Sequence, residues 1–309
     1  MSLISIIVAL LLEQARPLTT SRVDAVLARW ARFLDGHLNA GEQRHGLVAW
    51  LLGVALPALL VLAVGLAVAW SNRLLGIGYD IVILYVTVGF RQFSHYYTDI
   101  HLALRMGELD RARQLLGEWR GESAERLGSG EVARLAIEQA LLSSHRHVFA
   151  PLFWFVLLGP GGAVAYRLAL FLSREWGGRG DLEFGDFGLF SRQAFALVDW
   201  VPVRATAAAF AIVGDFEGAI YCWRSQAARW PDPSAGVLLA SGAGALGVRL
   251  GGPTMGDGVL GDPAVRPDLG TDDEADADFM QSTIGLVWRT LVMSLMLLAL
   301  IIVAGWVGG

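Results

Sequence analysis

No lysine occurs in the 309 residues, and all 24 basic side chains are arginine. Schiff-base chemistry and a P-loop, which both need a lysine ammonium, are excluded by that absence. Cys222 is the single cysteine, so neither an internal disulfide nor a multi-thiolate metal site can form. Charge is scarce as well: 17% of residues are charged and 54% hydrophobic, with a mean hydropathy of +0.50. The net charge of −5 offers no basic excess to neutralise phosphates, so nucleic acid is not an expected partner. At about 150 residues per domain the length fits one large domain or two small ones, and the composition rules out a disordered or collagen-like chain.

Long apolar runs are abundant. Residues 47 to 70 are 24 uncharged positions, more than the ~20 that cross a bilayer, and Pro57 within them predicts a kink. Residues 74 to 90 are shorter and carry Asp80, so they either span with that carboxyl facing protein or begin near Tyr79 at the interface. Residues 285 to 306 form a third span, with Trp288 and Trp306 at the two interface depths and Arg289 placed to snorkel. Residues 148 to 172 have the length of a span but are cut by Gly159-Pro160-Gly161-Gly162, which makes a re-entrant pair of half-helices as good a reading as a full crossing. Residues 200 to 214, with Arg204 inside, are too short to cross and read as a half-helix lining a cavity or interface. The N-terminal run lacks a leading arginine and a small-residue cleavage site, so it reads as an uncleaved helix docked on the bundle.

Arginine placement orients these spans. Residues 13 to 46 hold five and residues 91 to 147 hold eight, against Arg73 alone between the first two spans, so both polar segments are expected in the cytoplasm and Gly309 outside if 148–172 is re-entrant. Val23, Val26, Leu27, Trp30, Phe33 and Leu34 recur at helical spacing after Thr20 and Ser21, with Gly36 as the stop. Leu102, Leu109, Leu115 and Leu116, then Val132, Leu135, Ala136 and Leu142, mark two or three further helices. With no repeat and no sustained alternation, the expected fold is an all-α polytopic membrane helix bundle with re-entrant half-helices and cytoplasmic helical segments. It divides into residues 1–46 (docked and amphipathic helices), 47–90 (two-span hairpin), 91–147 (cytoplasmic helices), 148–214 (broken membrane segments), 215–283 (a Gly-rich cytoplasmic loop region) and 284–309 (the C-terminal span). The expected location is the bacterial inner membrane, crossed several times; a homo-oligomer is compatible with the sequence.

Few residues suggest chemistry. His95 and Asp99 share a helix face, yet without a second ligand pair they read as an interfacial cap rather than a metal site. His145-Arg146-His147 precedes an apolar run, where arginine anchors the helix. Gly242 to Gly247 match the letters GxGxxG without a surrounding βαβ unit. Their continuation places Arg249 between Gly247 and the pair Gly251 and Gly252, where free N–H groups and a guanidinium fork can cradle an anion; a close helix contact with Arg249 paired to a carboxylate explains it equally well. The run 271–278, TDDEADAD, reads as a solvated linker.

APLFW (150–154), GGAVAYR (161–167), DWVPVR (199–204), SAG (234–236) and GALGVRLGGP (244–253) resemble the adenosylcobinamide-phosphate synthase family of cobalamin biosynthesis, CobD/CbiB, from about residue 47 to the last span. Other features, Glu13, ALL at 140–142, Arg146 before APLFW, and DWVPVR, resemble the AmpE-type inner-membrane proteins associated with β-lactamase induction. The first resemblance implies a multi-span protein that makes an amide bond with ATP and Mg²⁺ as cofactors.

The chain departs from that family where its carboxylates belong. Nothing in residues 1 to 46 matches the opening signature. The acidic motif before APLF falls on Leu142, Ser143, Ser144, His145, Arg146 and His147, and further family polar positions fall on Leu170, Ser173, Phe195, Ala196 and Leu239, leaving Glu138 as the surviving acid. Since Mg²⁺ takes oxygen ligands, the expectation is a diverged protein that binds an anionic ligand, a corrinoid or another anionic small molecule, through Arg204, Arg249, Gly247, Gly251 and Gly252. The alternatives are a working synthase with Glu138, Asp186 and Asp199 as rearranged acids, and an AmpE-like membrane sensor. The lipid bilayer is the remaining expected partner.

Overall fold

The computed structural model describes residues 3–16, 20–179, 184–253 and 266–307; the side chains of Thr20, Ser21 and Trp306, together with Gly309, lie outside the described residues. The described helices are α1 (Leu3–Ala15), α2 (Thr20–Leu38), α3 (Gln43–Trp50), α4 (Leu56–Ser71), α5 (Arg73–Thr87), α6 (Phe90–Arg105), α7 (Leu109–Arg120), α8 (Ser129–Ser144), α9 (Ala150–Gly177), α10 (Phe187–Val213), α11 (Phe216–Gln226), α12 (Pro233–Leu246) and α13 (Ala277–Val307). Two short strands, β1 (Arg249–Gly251) and β2 (Asp268–Gly270), pair antiparallel. Gln43–Ser71, Ser129–Gly177, Phe187–Val213 and Ala277–Gly305 are long and apolar enough to cross a membrane. The chain folds as two compact units, Met1–Arg91 with Arg146–Pro202, and Gln92–His145 with Val203–Gly309.

In the first unit, proline chemistry shapes the apolar helices. Pro57 has no N–H to return to residue 53, and the turn before it widens into a π-helical turn, Leu51–Ala55. Pro151 does the same after the π-turn His145–Phe149, and the carbonyl of His147 that it leaves open accepts the Gly89 N–H at 3.0 Å. A tight turn at Asn72, whose side chain caps Leu74 at 2.8 Å, folds α5 back along α4.

The break at residues 159–162 is a reversal. Gly159 adopts φ 69° and ψ −158°, open only to glycine, and Pro160 restarts the helix. A Cβ on Gly162 would lie 2.3 Å from the carbonyl oxygen of Trp154, although eight residues of straight helix cover about 12 Å. The bend rests on α4, where a Cβ on Gly161 would meet the Ala58 carbonyl at 2.7 Å. The start of α9 is tied to the end of α5 through Gly89, while its end is pressed on the start of α10, which in turn touches Gly46 at the start of α3. Both ends of α9 therefore lie at the same end of the α4–α5 hairpin. Leu34, Val54, Leu172, Trp176 and Phe187 close a buried core around it.

Three expectations about helices are corrected. α2 runs past Gly36 to Leu38 and buries Ala31 and Leu34, leaving Val26 and Phe33 exposed, because one face of four-residue spacing suffices to cover the core. Residues 200–214 are the second half of α10, which begins at Phe187 and has 27 residues, since Phe187 to Val198 continue the apolar pattern ahead of Pro202. The described residues of 215–283 are not a loop region: α11 and α12 pack together and β1 pairs β2, because glycine in this region admits close helix contact.

In the second unit α12 is buried at every position from Ala235 to Ala245. Gly242 lets Leu141 of α8 approach, and a Cβ on Gly244 would lie 2.3 Å from the carbonyl of Gly218 on α11. Tyr97 of α6 donates to the Met280 carbonyl of α13 at 2.9 Å, and burial holds its phenol well above the ordinary value.

Candidate functional site

The glycine string is a helix end followed by a strand. Gly242 and Gly244 serve packing, and Gly247 closes α12 in the left-handed conformation at φ 72°. The N–H groups expected to face an anion are engaged: Gly247 donates to Gly244, Arg249 to Asp273, Gly251 to the Glu138 carboxylate and Gly252 to Pro267. The Arg249 guanidinium lies at the surface and pairs with Glu274 at 2.9 Å. Arg204 is half-buried on α10 and has partners of its own.

Glu138 is the centre of this region. Only 5% of its side chain is exposed; one oxygen accepts the Gly251 N–H at 2.8 Å and the other accepts from Arg266 at 2.6 Å. Arg266 lies over Trp230, and Arg134 donates to the Pro253 carbonyl at 3.0 Å, so both flanks of residues 254–265 are fastened to α8. Nothing in the spacing pointed to Arg266 or Arg134, because their partners are 128 and 119 residues away in the chain.

The acids fit Mg²⁺ poorly. Both oxygens of Glu138 are committed; Asp199, 2% exposed, accepts from the Tyr166 hydroxyl at 2.8 Å; and Asp186 is exposed. Among the described residues no group of three His, Cys, Asp or Glu side chains is placed to hold a metal ion. His95 and Asp99 make an exposed pair at 3.4 Å, and Tyr96 stacks on Trp119. The acidic run is structural: Asp276 caps α13 through the N–H groups of Asp278 and Phe279, Asp278 pairs with Arg105, and Glu274 with Arg249.

A second group of polar residues sits on α9 and its neighbours α2 and α10. Tyr166 and Asp199 are buried together between α9 and α10. Next to Tyr166, Arg167 contacts His147 at the start of α9 and pairs with Asp24 of α2 at 3.8 Å. The contact of Arg167 with His147 depends on the reversal at Gly159.

Comparison with known proteins fits this architecture. A family model described as CobD/Cbib protein matches residues 6–287. The chain is 35% identical to the cobalamin biosynthesis protein CobD of Stutzerimonas stutzeri, covering 98% of both chains. It is 38% identical to that of Chromobacterium violaceum, over 71% of this chain and 70% of the relative. To that of Mycobacterium tuberculosis it is 32% identical, over 74% and 73%. No solved structure matches. With a family match over nearly its whole length, the chain belongs to the CobD/CbiB family of cobalamin-biosynthesis membrane proteins.

Proposed function

We propose that this chain is a diverged member of its family, a multi-pass protein of the bacterial inner membrane that binds an anionic ligand, a corrinoid intermediate or another anionic small molecule, without ATP- and Mg²⁺-dependent amide synthesis. The observation that carries this reading is the state of Glu138, whose two oxygens are both taken by Arg266 and Gly251. A carboxylate neutralised by a guanidinium at 2.6 Å has little left to offer a cation, and Mg²⁺ demands several oxygen ligands in near-octahedral array. Arg204 and Arg249 are the proposed cations on this side of the molecule. A ligand at Arg249 has only an exposed pair with Glu274 to displace, worth at most about 1 kcal/mol, and Gly247, Gly251 and Gly252 shape the turns around it.

The test uses the full chain in detergent. A corrinoid bearing free carboxylates is expected to bind equally with and without Mg²⁺, followed by its visible absorbance, and added ATP is expected to stay intact. Mg²⁺-dependent amide formation from that corrinoid, an amino alcohol or its phosphate, and ATP would sink the reading in favour of a working synthase.

A further inference from the structure

α11 has two unlike faces. On one, Ala219 and Cys222 are buried, and Gly218 lies so close to α12 that a Cβ there would stand 2.8 Å from the Gly244 carbonyl. On the other, Phe216 and Tyr221 are 57% and 69% exposed, and with Ile220, Glu217, Arg224 and Ser225 they line a groove of about 490 Å³. Large apolar side chains gathered on one helix face mark a surface that another molecule covers. The six lining residues form two rows at four-residue spacing, 216–220–224 and 217–221–225, and the groove between such rows is the shape into which the ridge of a second helix fits. The midpoint of the set falls between Ile220 and Tyr221. A second α11 laid antiparallel about that point sets Phe216 opposite Ser225, Glu217 opposite Arg224 and Ile220 opposite Tyr221. Every lining residue then meets another lining residue, and each charge meets its opposite. Within one chain Glu217 and Arg224 stand two turns apart, about 10 Å along the axis, too far to pair with each other. Both are exposed, and no ion pair among the described residues takes either of them.

We infer that this face of α11 is the contact through which two copies of the chain associate about a two-fold axis. The inference goes beyond the reading above and does not depend on its ligand. An anionic lipid surface suits the face less well, because one carboxylate offsets the one guanidinium and leaves no net charge to attract it. Two copies in one bilayer share an axis along its normal, so the contact sets α11 along the membrane plane; its 11 residues, about 16 Å, are too few to cross.

The test uses the full chain in native membranes, in a Cys222→Ala background. Tyr221→Cys, beside the axis, is expected to give a disulfide-linked dimer on mild oxidation, whereas the two copies of Ser225→Cys lie about 13 Å apart along the helices and are expected not to link. Charge swaps then probe the pairing. In the Tyr221→Cys chain, Glu217→Arg or Arg224→Glu alone sets like charges opposite each other twice per dimer and is expected to lower the linked fraction about tenfold, while the two swaps together restore it. Each swap also opposes the helix dipole, so a merely structural effect would deepen in the double variant instead of reversing. All these positions are exposed, and helicity and elution volume in detergent check that the fold is kept. No linkage at Tyr221→Cys in folded protein, equal linkage at Ser225→Cys, or a double swap that fails to restore linkage overturns the inference.

Discussion

Arg249 and Arg266 flank the same pair of strands and carry the same charge, yet their removal has different consequences. Arg266 faces a carboxylate with 5% of its side chain exposed, and Arg266→Ala leaves that charge buried without its partner, a loss of about 3–5 kcal/mol. Arg249 and Glu274 are 40% and 85% exposed, and Arg249→Ala is expected to cost no more than about 1 kcal/mol. Thermal unfolding in detergent separates the two; equal losses would mean that Glu138 is held by something other than Arg266. Cys222 gives a second test at this scale. Burial pushes its thiol above the ordinary value, a backbone hydrogen bond at Gly270 works against the shift, and Asp215 adds to it. The folded chain holds this proton more tightly than the unfolded one, so the associated stability is present below the ordinary thiol range and lost as pH rises into it. Native protein at pH 8 is therefore expected to resist a maleimide that labels it within minutes once denatured, and rapid native labelling would show that α11 opens.

Among the elements, the reversal in α9 rests on two glycines for different reasons. Gly162→Val drives a side chain into the Trp154 carbonyl, and overpacking of this kind costs roughly 1–3 kcal/mol or more. Gly159→Ala meets a forbidden backbone conformation at a cost of about 1–3 kcal/mol. Gly285 of α13 faces open space, and Gly285→Ala is expected to be neutral or slightly stabilising. Melting temperatures of the three variants check this ordering; an unchanged Gly162→Val would mean that the half-helices do not meet. This element was legible in advance because glycine and proline act locally, so Gly159-Pro160-Gly161-Gly162 announces a break in any context. The full length of α10 was less legible, since Pro202 and Arg204 look like boundaries when read alone but are accommodated within a helix. Least legible were the charged groups. The partners of Arg266 and Arg167 are set by tertiary contacts across 20 to more than 100 residues, and no local spacing encodes them.

On the scale of the whole molecule, side-chain pairs constrain which segments are expected on one side of the bilayer. Residues 91–147 carry eight arginines and are expected in the cytoplasm. Arg105 in that segment pairs with Asp278 at 2.6 Å, and Glu138 pairs with Arg266, so the start of α13 belongs on the same side. Between residues 147 and 266 the chain is then expected to cross an even number of times. α9 returns to the end from which it starts and α12, at 14 residues, is shorter than a span, so α10 is expected to make no net crossing despite its 27 residues. α13 is then expected to cross outward. In a Cys222→Ala background, Asn39→Cys and Gly178→Cys are expected to react with a membrane-impermeant maleimide only after the cells are opened. Asn72→Cys at the α4–α5 turn and Gly305→Cys near the end of α13 are expected to react in intact cells. Labelling of Gly178→Cys from outside would make α9 a full crossing, and protection of Gly305→Cys together with labelling of Asn72→Cys would mean that α10 spans the membrane after all.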